Sequence, residues 1–443
     1  MKKVLIILYY WPPSGGGGVQ RWVKFVKYLP AFGWEPIVYA PENPDYPLHD
    51  PSLLEEIPEG LKVIKQPIFE ARKALTNLFP KKDKEAGAKG GKSLDGLFYL
   101  DPKERSLKDN LSIWVRGNLF IPDARMTWIN PSIKFLSQYL KDHPVDAMVS
   151  TGPPHSMHLI GKGIKKKTDL PWLVDMRDPW TNIEFFEHLM LSSWAEKKHK
   201  RLEKEVLLGA DHVNEVGKSY IDYDKKLGVQ DIGWIPNGYD DRDFEGEPEP
   251  LSPHFMISHI GTFEKDRSLE NLYKALDSLK NEFEDFADDL RIQLAGKIAP
   301  EVLDEFQARG LGKNLIDLGY ISHKEAIAAM QRSQLLLILI NQSERNAKGK
   351  LTGKVFEYLA SRRPILVIGP EDGDAATVTQ ECKGGFACDF EDLEKLIAIL
   401  RARYLEFKEN GSVPTYTEGY EKYSRKNLTA SLAKLLDRLT SPA

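Results

Sequence analysis

The chain has 443 residues, a formal net charge of −4, 42% hydrophobic and 28% charged residues, enough for two domains with substantial cores and the balance of an ordinary globular protein. Its two cysteines, Cys382 and Cys388, have neither metal-ligand spacing nor a disulfide framework, which suits a reducing compartment, and no apolar run approaches the ~20 residues that cross a bilayer. Residues 1–210 hold 31 Lys and Arg against 25 Asp and Glu, leaving 30 against 40 for the remainder, so the first half is net basic and suits an anionic acceptor or membrane surface.

Val4–Tyr10 reads as a first core strand; Lys2 and Lys3 before it imitate a signal peptide, but the run leads into Trp11-Pro-Pro-Ser and four glycines rather than a cleavage site. Val19, Trp22, Val23, Val26 and Leu29 then have helical spacing. Strand, glycine loop and helix form the general phosphate-binding opening of an α/β domain. The dinucleotide fingerprint fails, because Arg21 stands where its third glycine belongs and no acidic residue closes the next strand, Ile37–Ala40. Gly15 and Gly18 also read as plain turn glycines. From about Phe69 to Met126 the chain reads as an insertion, with Lys81, Lys82, Lys84, Lys89 and Lys92 around three glycines. Leu107–Phe120 is amphipathic, either a lipid-facing helix or, more commonly, one packed on its own domain.

Strands at Val145–Ser150 and Leu170–Val174 end in the loops Thr151–Ser156 and Asp175–Trp180, and open parallel sheets bind ligands at strand C-termini. That position makes His155, Arg177 and Asp178 candidates for the reacting centre, although a helix start explains His155 and a helix cap explains Asp178. Trp194–Leu208 reads as a long charged helix, followed by strands at His212–Val216 and Ile232–Ile235. Pro236-Asn-Gly-Tyr-Asp240 then leads into the acidic connection Asp241–Pro253, which sets a domain boundary.

The alternation restarts with strand Phe255–Ile260, closed by Gly261-Thr262 with Lys265 and Arg267 beyond it, a turn whose backbone can approach a diphosphate. Leu290–Ala295 with Gly296-Lys297 and Leu315–Leu318 with Gly319-Tyr320-Ile321 repeat the strand-and-turn pattern. The unbroken apolar run Leu335–Ile340 belongs to a strand covered on both faces. The loop after it carries Arg345, Lys348 and Lys350, and Thr352 is placed to cap a helix over Gly353–Ser361. A helix N-terminus beside cations is an anion site. Glu357, one turn inside, is placed to accept hydrogen bonds from the two hydroxyls of a ribose, so phosphate and diol together describe a nucleotide. The plainer alternative is an exposed Lys354–Glu357 pair worth roughly a few tenths of a kcal/mol. Pro364–Ile368 and Gly385–Cys388 complete the strands, and Asp392–Phe407 and Tyr420–Leu439 read as terminal helices.

The stretch GKLTGKVFEYLASRRPILVIG, Gly349–Gly369, resembles the donor-binding segment of GT-B glycosyltransferases of family 4 (glycosyl transferases group 1), and STGPPHS, DMRDPW and PNGYD resemble its other loops. The resemblance implies an α/β GT-B fold: two facing Rossmann-like doubly wound domains, 1–240 on the acceptor side and 254–415 on the donor side, with 416–443 crossing back as a C-terminal helix. It implies that Glu357 binds the donor ribose, that Gly261, Thr262 and Arg267 meet the pyrophosphate, and that the Tyr320 turn meets the base. Lys350, Thr352, Gly353 and Lys354 complete the donor set, and Gly16, Gly17 and Arg21 form an acceptor-side loop. Two departures stand out: Gly349 replaces a customary glutamate, and Arg177 and Asp178 stand where many relatives carry a histidine, which transfers a location and not a role. The implied activity is retaining transfer from a nucleotide sugar to a glycan, lipid-linked or small-molecule acceptor in envelope or polysaccharide biosynthesis. Neither cofactor, metal nor nucleic acid is expected, and the expected place is the cytoplasm, peripheral to the inner face of the membrane. A nucleotide-sugar epimerase or hydrolase, or a noncatalytic nucleotide-sugar-binding partner, would share the donor-side residues.

Overall fold

The computed structural model describes residues 1–69, 105–263, 269–342 and 346–441. The lysine-glycine loop 81–92, Lys265, Arg267 and Arg345 lie outside the described residues. Two units divide the chain: 1–216 with 220–235 and 429–443, and 217–219 with 236–428.

The first unit is built on a parallel sheet of β1 Lys2–Ile7, β2 Trp34–Pro41, β3 Lys62–Gln66, β4 Ala147–Gly152, β5 Trp172–Met176, β6 His212–Glu215 and β7 Ile232–Trp234, in the order β3-β2-β1-β4-β5-β6-β7. The central strands are apolar on both faces because helices cover both sides, and every residue of β4 is buried. Val4 of β1 lies opposite Pro36 of β2 on one side and Ala147 of β4 on the other. The winding direction therefore reverses between β1 and β4, and at such a switch point the two following loops diverge and open a crevice beyond the strand C-termini. The edge strand β3 escaped the sequence reading because Lys62-Val-Ile-Lys65 presents two lysines and no continuous apolar run.

In the second unit β8 Phe255–Ile260, β9 Leu290–Ala295, β10 Leu315–Asp317, β11 Leu335–Leu339, β12 Ile365–Ile368 and β13 Gly385–Cys388 form a parallel sheet in the order β10-β9-β8-β11-β12-β13. Its switch point falls between β8 and β11. The run expected to be covered on both faces is so covered, with all five residues of β11 buried. The helix expected from Tyr420 onward is broken: a short 3-10 turn, Tyr420–Tyr423, precedes extended Ser424, and the helix spans Arg425–Thr440. Its later part is counted with the first unit, where Lys2 Nζ lies 3.1 Å from Asp437 and Arg438 2.7 Å from Asp231. Among the described residues no helix is long and apolar enough to cross a membrane.

Candidate active site

In the second unit the turns after β8, β9 and β10 are tied together through the backbone. Gly261 N donates to Ala295 O at 2.7 Å, Gly296 N donates to Gly319 O at 2.7 Å, and Phe263 N donates to Lys297 O at 2.9 Å. Gly296, at φ 126°, permits this closeness, since a Cβ there would stand 2.3 Å from Gly261 O. Three turns held edge to edge on the β8 side of the switch point form a shelf of backbone groups on which Gly261, Thr262 and Tyr320 sit. Thr262 is exposed, and Tyr320 is 82% exposed, free of the core role an aromatic after a strand often has.

Beside this shelf lies the helix Gly353–Ala360. Thr352 occupies its N-cap position in extended conformation, yet its side chain makes no cap hydrogen bond, which corrects the capping role expected of it. The N-terminus is thereby left open to an external anion. Lys350, Gly353 and Lys354 surround it, each partly exposed. Tyr358 is fully buried, and Ile260 N donates to its hydroxyl at 2.8 Å, locking the helix to the last residue of β8. That bond positions Glu357, which is largely buried, within the same edge of the unit. Lys354 Nζ holds Glu357 Oε2 at 2.7 Å. The ion pair foreseen as the plainer alternative is thus present, but it engages one carboxylate oxygen and leaves Oε1 without a hydrogen-bond partner among the described residues.

His323 was not anticipated. Ser322 and Glu325 form a reciprocal capping box at the start of helix His323–Arg332, and that motif was legible as Ser-x-x-Glu. His323 Nε2 donates to Asp243 Oδ2 at 2.9 Å, and this bond, opposed by burial and aided by the nearby charges of Asp243 and Glu357, raises the imidazole pKa. A raised folded-state pKa stabilises the fold fully below the ordinary imidazole value of about 6.5, and that stabilisation is lost as pH rises through the raised pKa. The stability advantage of wild type over His323→Gln is therefore expected to shrink with rising pH across that interval in urea melts. A difference flat between about pH 5 and 9 would contradict the assignment.

In the first unit the glycine loop after β1 divides by role. Gly16, at φ 103°, and Gly17 have open space around them and start helix Gly17–Tyr28 with no side-chain cap. Gly18 instead makes room for Arg177, whose Nη1 would stand 1.5 Å from a Cβ there. Arg177 is turned toward its own neighbourhood, donating through Nη2 to Pro153 O.

Arg21 does not join an acceptor loop surface, as had been expected. It is 1% exposed and forms the centre of a buried network in which its Nη2 donates to Asp175 Oδ1 at 2.8 Å and to Ile235 O at 2.8 Å. Trp22 Nε1, Thr151 Oγ1 and Asn214 Nδ2 complete the set around the Asp175 carboxylate at 2.8, 2.9 and 2.9 Å. Burial pushes the Asp175 carboxyl up, but the Arg21 charge and these donors outweigh it and hold the pKa low.

His155 begins helix Ser156–Thr168, but the anion position at that N-terminus is already filled: Asp123 accepts from Ser156 N and Oγ, both at 2.8 Å. None of the N-cap residues of the helices starting at Gly17, Ser156 and Gly353 makes a side-chain cap bond, and among the described residues only the start at Ser156 has a carboxylate from elsewhere in its place. The His155 ring stacks on Trp180 at 4.6 Å, and its buried Nδ1 has no hydrogen-bond partner among the described residues. Burial, then the charges of His158, His199 and Arg177, pushes its pKa well below the ordinary range. A neutral imidazole can share a hydrogen bond with a hydroxyl but cannot serve as a cation. His155 and Asp178 line one cavity of about 220 Å³ with Trp180, Phe186, Asp123 and Arg125. A larger groove of about 550 Å³ beside Lys134, Lys141 and Lys167 takes in Val145 and Leu170, which precede β4 and β5, and so lies at the opposite, N-terminal edge of the sheet.

No family model and no curated protein sequence matches the chain. Its fold is that of GT-B glycosyltransferases. Sucrose-phosphate synthase from Thermosynechococcus elongatus is similar over 99% of each chain, with a TM-score of 0.61 at 12% identity. A glycosyltransferase from Rickettsia africae is similar over 100% of this chain and 99% of its own, at TM-score 0.60 and 12% identity. HepE of Anabaena, solved in complex with UDP-glucose, is similar over 99% of this chain and 100% of its own, at TM-score 0.60 and 13% identity. Such identities carry the architecture and not the substrate.

Proposed function

We propose that the protein is a glycosyltransferase that takes a sugar from a nucleoside-diphosphate sugar and passes it to an acceptor hydroxyl. The observation that carries this reading is the pairing, in the second unit, of an uncapped helix N-terminus at Gly353 with a half-engaged carboxylate, Glu357, one turn inside, fixed by Tyr358 to the end of β8. The full-length GT-B likeness supports it, and so does the UDP-glucose held by HepE. In this reading Glu357 Oε1 accepts from the ribose hydroxyls, the N–H groups of Gly353 and Lys354 meet the diphosphate, and Tyr320 and the Gly319 turn meet the base. Lys350 and Lys354, with Arg267, balance the charge of the leaving diphosphate by fixed electrostatics, without a metal. The family 4 resemblance implies retention. The acceptor hydroxyl then attacks on the face from which the diphosphate departs, the glycosidic bond to phosphate breaks, and the departing phosphate oxygen takes the hydroxyl proton. His155 and Asp178 border the acceptor in the first unit, as Gly16 and Gly17 do. The place is the cytoplasm, and the pathway is envelope or polysaccharide biosynthesis.

Incubation with a panel of nucleotide sugars, with and without glycan and lipid-linked acceptors, tests the reading. Acceptor-dependent release of nucleoside diphosphate is expected. Conversion of the sugar nucleotide without acceptor would replace transfer by epimerisation or hydrolysis, and binding without turnover would make the chain a noncatalytic partner.

A further inference from the structure

The cavity of about 220 Å³ that His155 and Asp178 line changes character along its length, and a chain of side-chain contacts marks the change. The His155 ring lies face to face with Trp180 at 4.6 Å. Trp180 Nε1 donates to His199 Nδ1 at 3.2 Å, and the His199 ring meets Phe186 edge-on at 5.5 Å. Phe186 belongs to a small apolar cluster with Ile113, Ile183 and Leu189. His155 and Asp178 follow the C-terminal ends of β4 and β5. The cavity therefore begins among polar side chains at the candidate reacting centre and ends among apolar ones.

Helix Leu107–Leu119 borders the apolar end. A capping box between Ser106 and Asp109 fixes its N-terminus, and Ile113 joins the cluster. Asn118 donates to Met190 O at 3.1 Å and accepts from Ser192 N at 2.7 Å. Gly117 lets the two segments meet, since the Leu189 carbonyl would stand 2.7 Å from a Cβ there. One face of this helix is thereby packed on its own unit, while Leu107 and Leu111 stay exposed. Arg116, Gly117 and Phe120, at its end, line the cavity. A sugar hydroxyl placed against Phe120, Ile183, Phe186 and Leu189 would give up its water partners and find none among those side chains, whereas a methylene placed there simply leaves water. A dry cavity of about 150 Å³ with such a lining takes a benzene ring, so this one has room for a ring or a short chain beside a hydroxyl.

We infer that the acceptor is an amphiphile whose hydroxyl lies against His155 and Asp178 and whose attached alkyl or aryl group fills the end formed by Phe120, Ile183, Phe186 and Leu189. The inference rests on the reading of the first unit as the acceptor side, and it narrows the acceptor to molecules that carry an apolar portion next to the reacting hydroxyl.

Titration calorimetry of the full chain with n-alkyl β-glucosides from methyl to heptyl, each below its micelle concentration and without nucleotide, tests this. Affinity is expected to rise about fourfold with each added methylene and to level off once the cavity is full, with a heat-capacity change that grows more negative along the rise. Phe120 is half-buried, and Phe120→Ser is expected to weaken heptyl glucoside at least about fivefold while sparing methyl glucoside. Urea melts that match wild type report the variant's fold as intact. Equal affinity along the series in wild type, or no binding by any member, would overturn the inference, as would a rise that the folded variant keeps. Because no donor is present, the result is separate from that of the transfer assay. Transfer to free sugars with no gain from an alkyl chain would keep the transferase and discard the amphiphile. A rising series from a chain that transfers nothing would keep the amphiphile site and discard transfer.

Discussion

Arg21→Ala is expected to lower the unfolding free energy by about 3–5 kcal/mol, the cost of leaving one partner of a buried ion pair uncompensated. The residue lies on the first helix after the glycine loop, where its position suggested a ligand contact. Yet its guanidinium is 1% exposed and divided between Asp175 and the Ile235 carbonyl. The change would leave the Asp175 carboxylate buried with donors from Trp22, Thr151 and Asn214 but without the charge paired directly to it. The loss has a predicted pH signature. Asp175 has a depressed folded-state pKa, so the pair contributes stability above the unfolded carboxyl pKa of about 3.9 and loses it as pH falls through the folded value. The gap between wild type and variant should accordingly narrow as the pH is lowered below about 4. Chemical denaturation at several pH values reads both. A loss below about 1 kcal/mol at neutral pH, where surface pairs fall, would show that Arg21 is not anchored as described.

The parts of this molecule that local pattern dictates were readable from the chain. Leu335–Leu339 must be covered on both faces because it has no polar residue to turn outward, and it is. The glycine turns after β8, β9 and β10 announce themselves by position, although only the close approach of the Gly261 carbonyl, 2.3 Å from where a Cβ would stand, explains why the second must be glycine. What escaped is what depends on partners distant in sequence. Arg21 and Asp175 are separated by 154 positions, and nothing near either one tells that they are joined. Nothing local marks Tyr358 as an anchor, yet its hydroxyl reaches Ile260, 98 positions away, and that bond turns burial of a polar ring tip from a cost into a tie. Thr352 stands where a cap belongs and makes no cap bond. Helix Leu107–Leu119 was readable as amphipathic but not as two-sided, since Gly117 and Asn118 acquire meaning only against Leu189 and Met190.

Glu357→Ala is expected to weaken binding of the donor's nucleoside diphosphate by about 1.5–3 kcal/mol, the range for hydrogen bonds to a charged group. The carboxylate is held one turn inside helix Gly353–Ala360, with Lys354 on Oε2 and Oε1 unengaged. The substitution removes the acceptor for a diol and also releases Lys354, which becomes free to move toward a phosphate. Affinity for the diphosphate alone therefore cannot apportion the effect, and an analogue lacking the 2′ and 3′ hydroxyls can. The decisive measurement is titration calorimetry of wild type and Glu357→Ala with the tightest-binding nucleoside diphosphate and with its 2′,3′-dideoxy analogue. If Glu357 holds the ribose, wild type will discriminate against the dideoxy analogue by about 1.5–3 kcal/mol and the variant will bind both alike. If the variant discriminates as strongly as wild type, Glu357 serves only its ion pair with Lys354, and the donor site lies elsewhere.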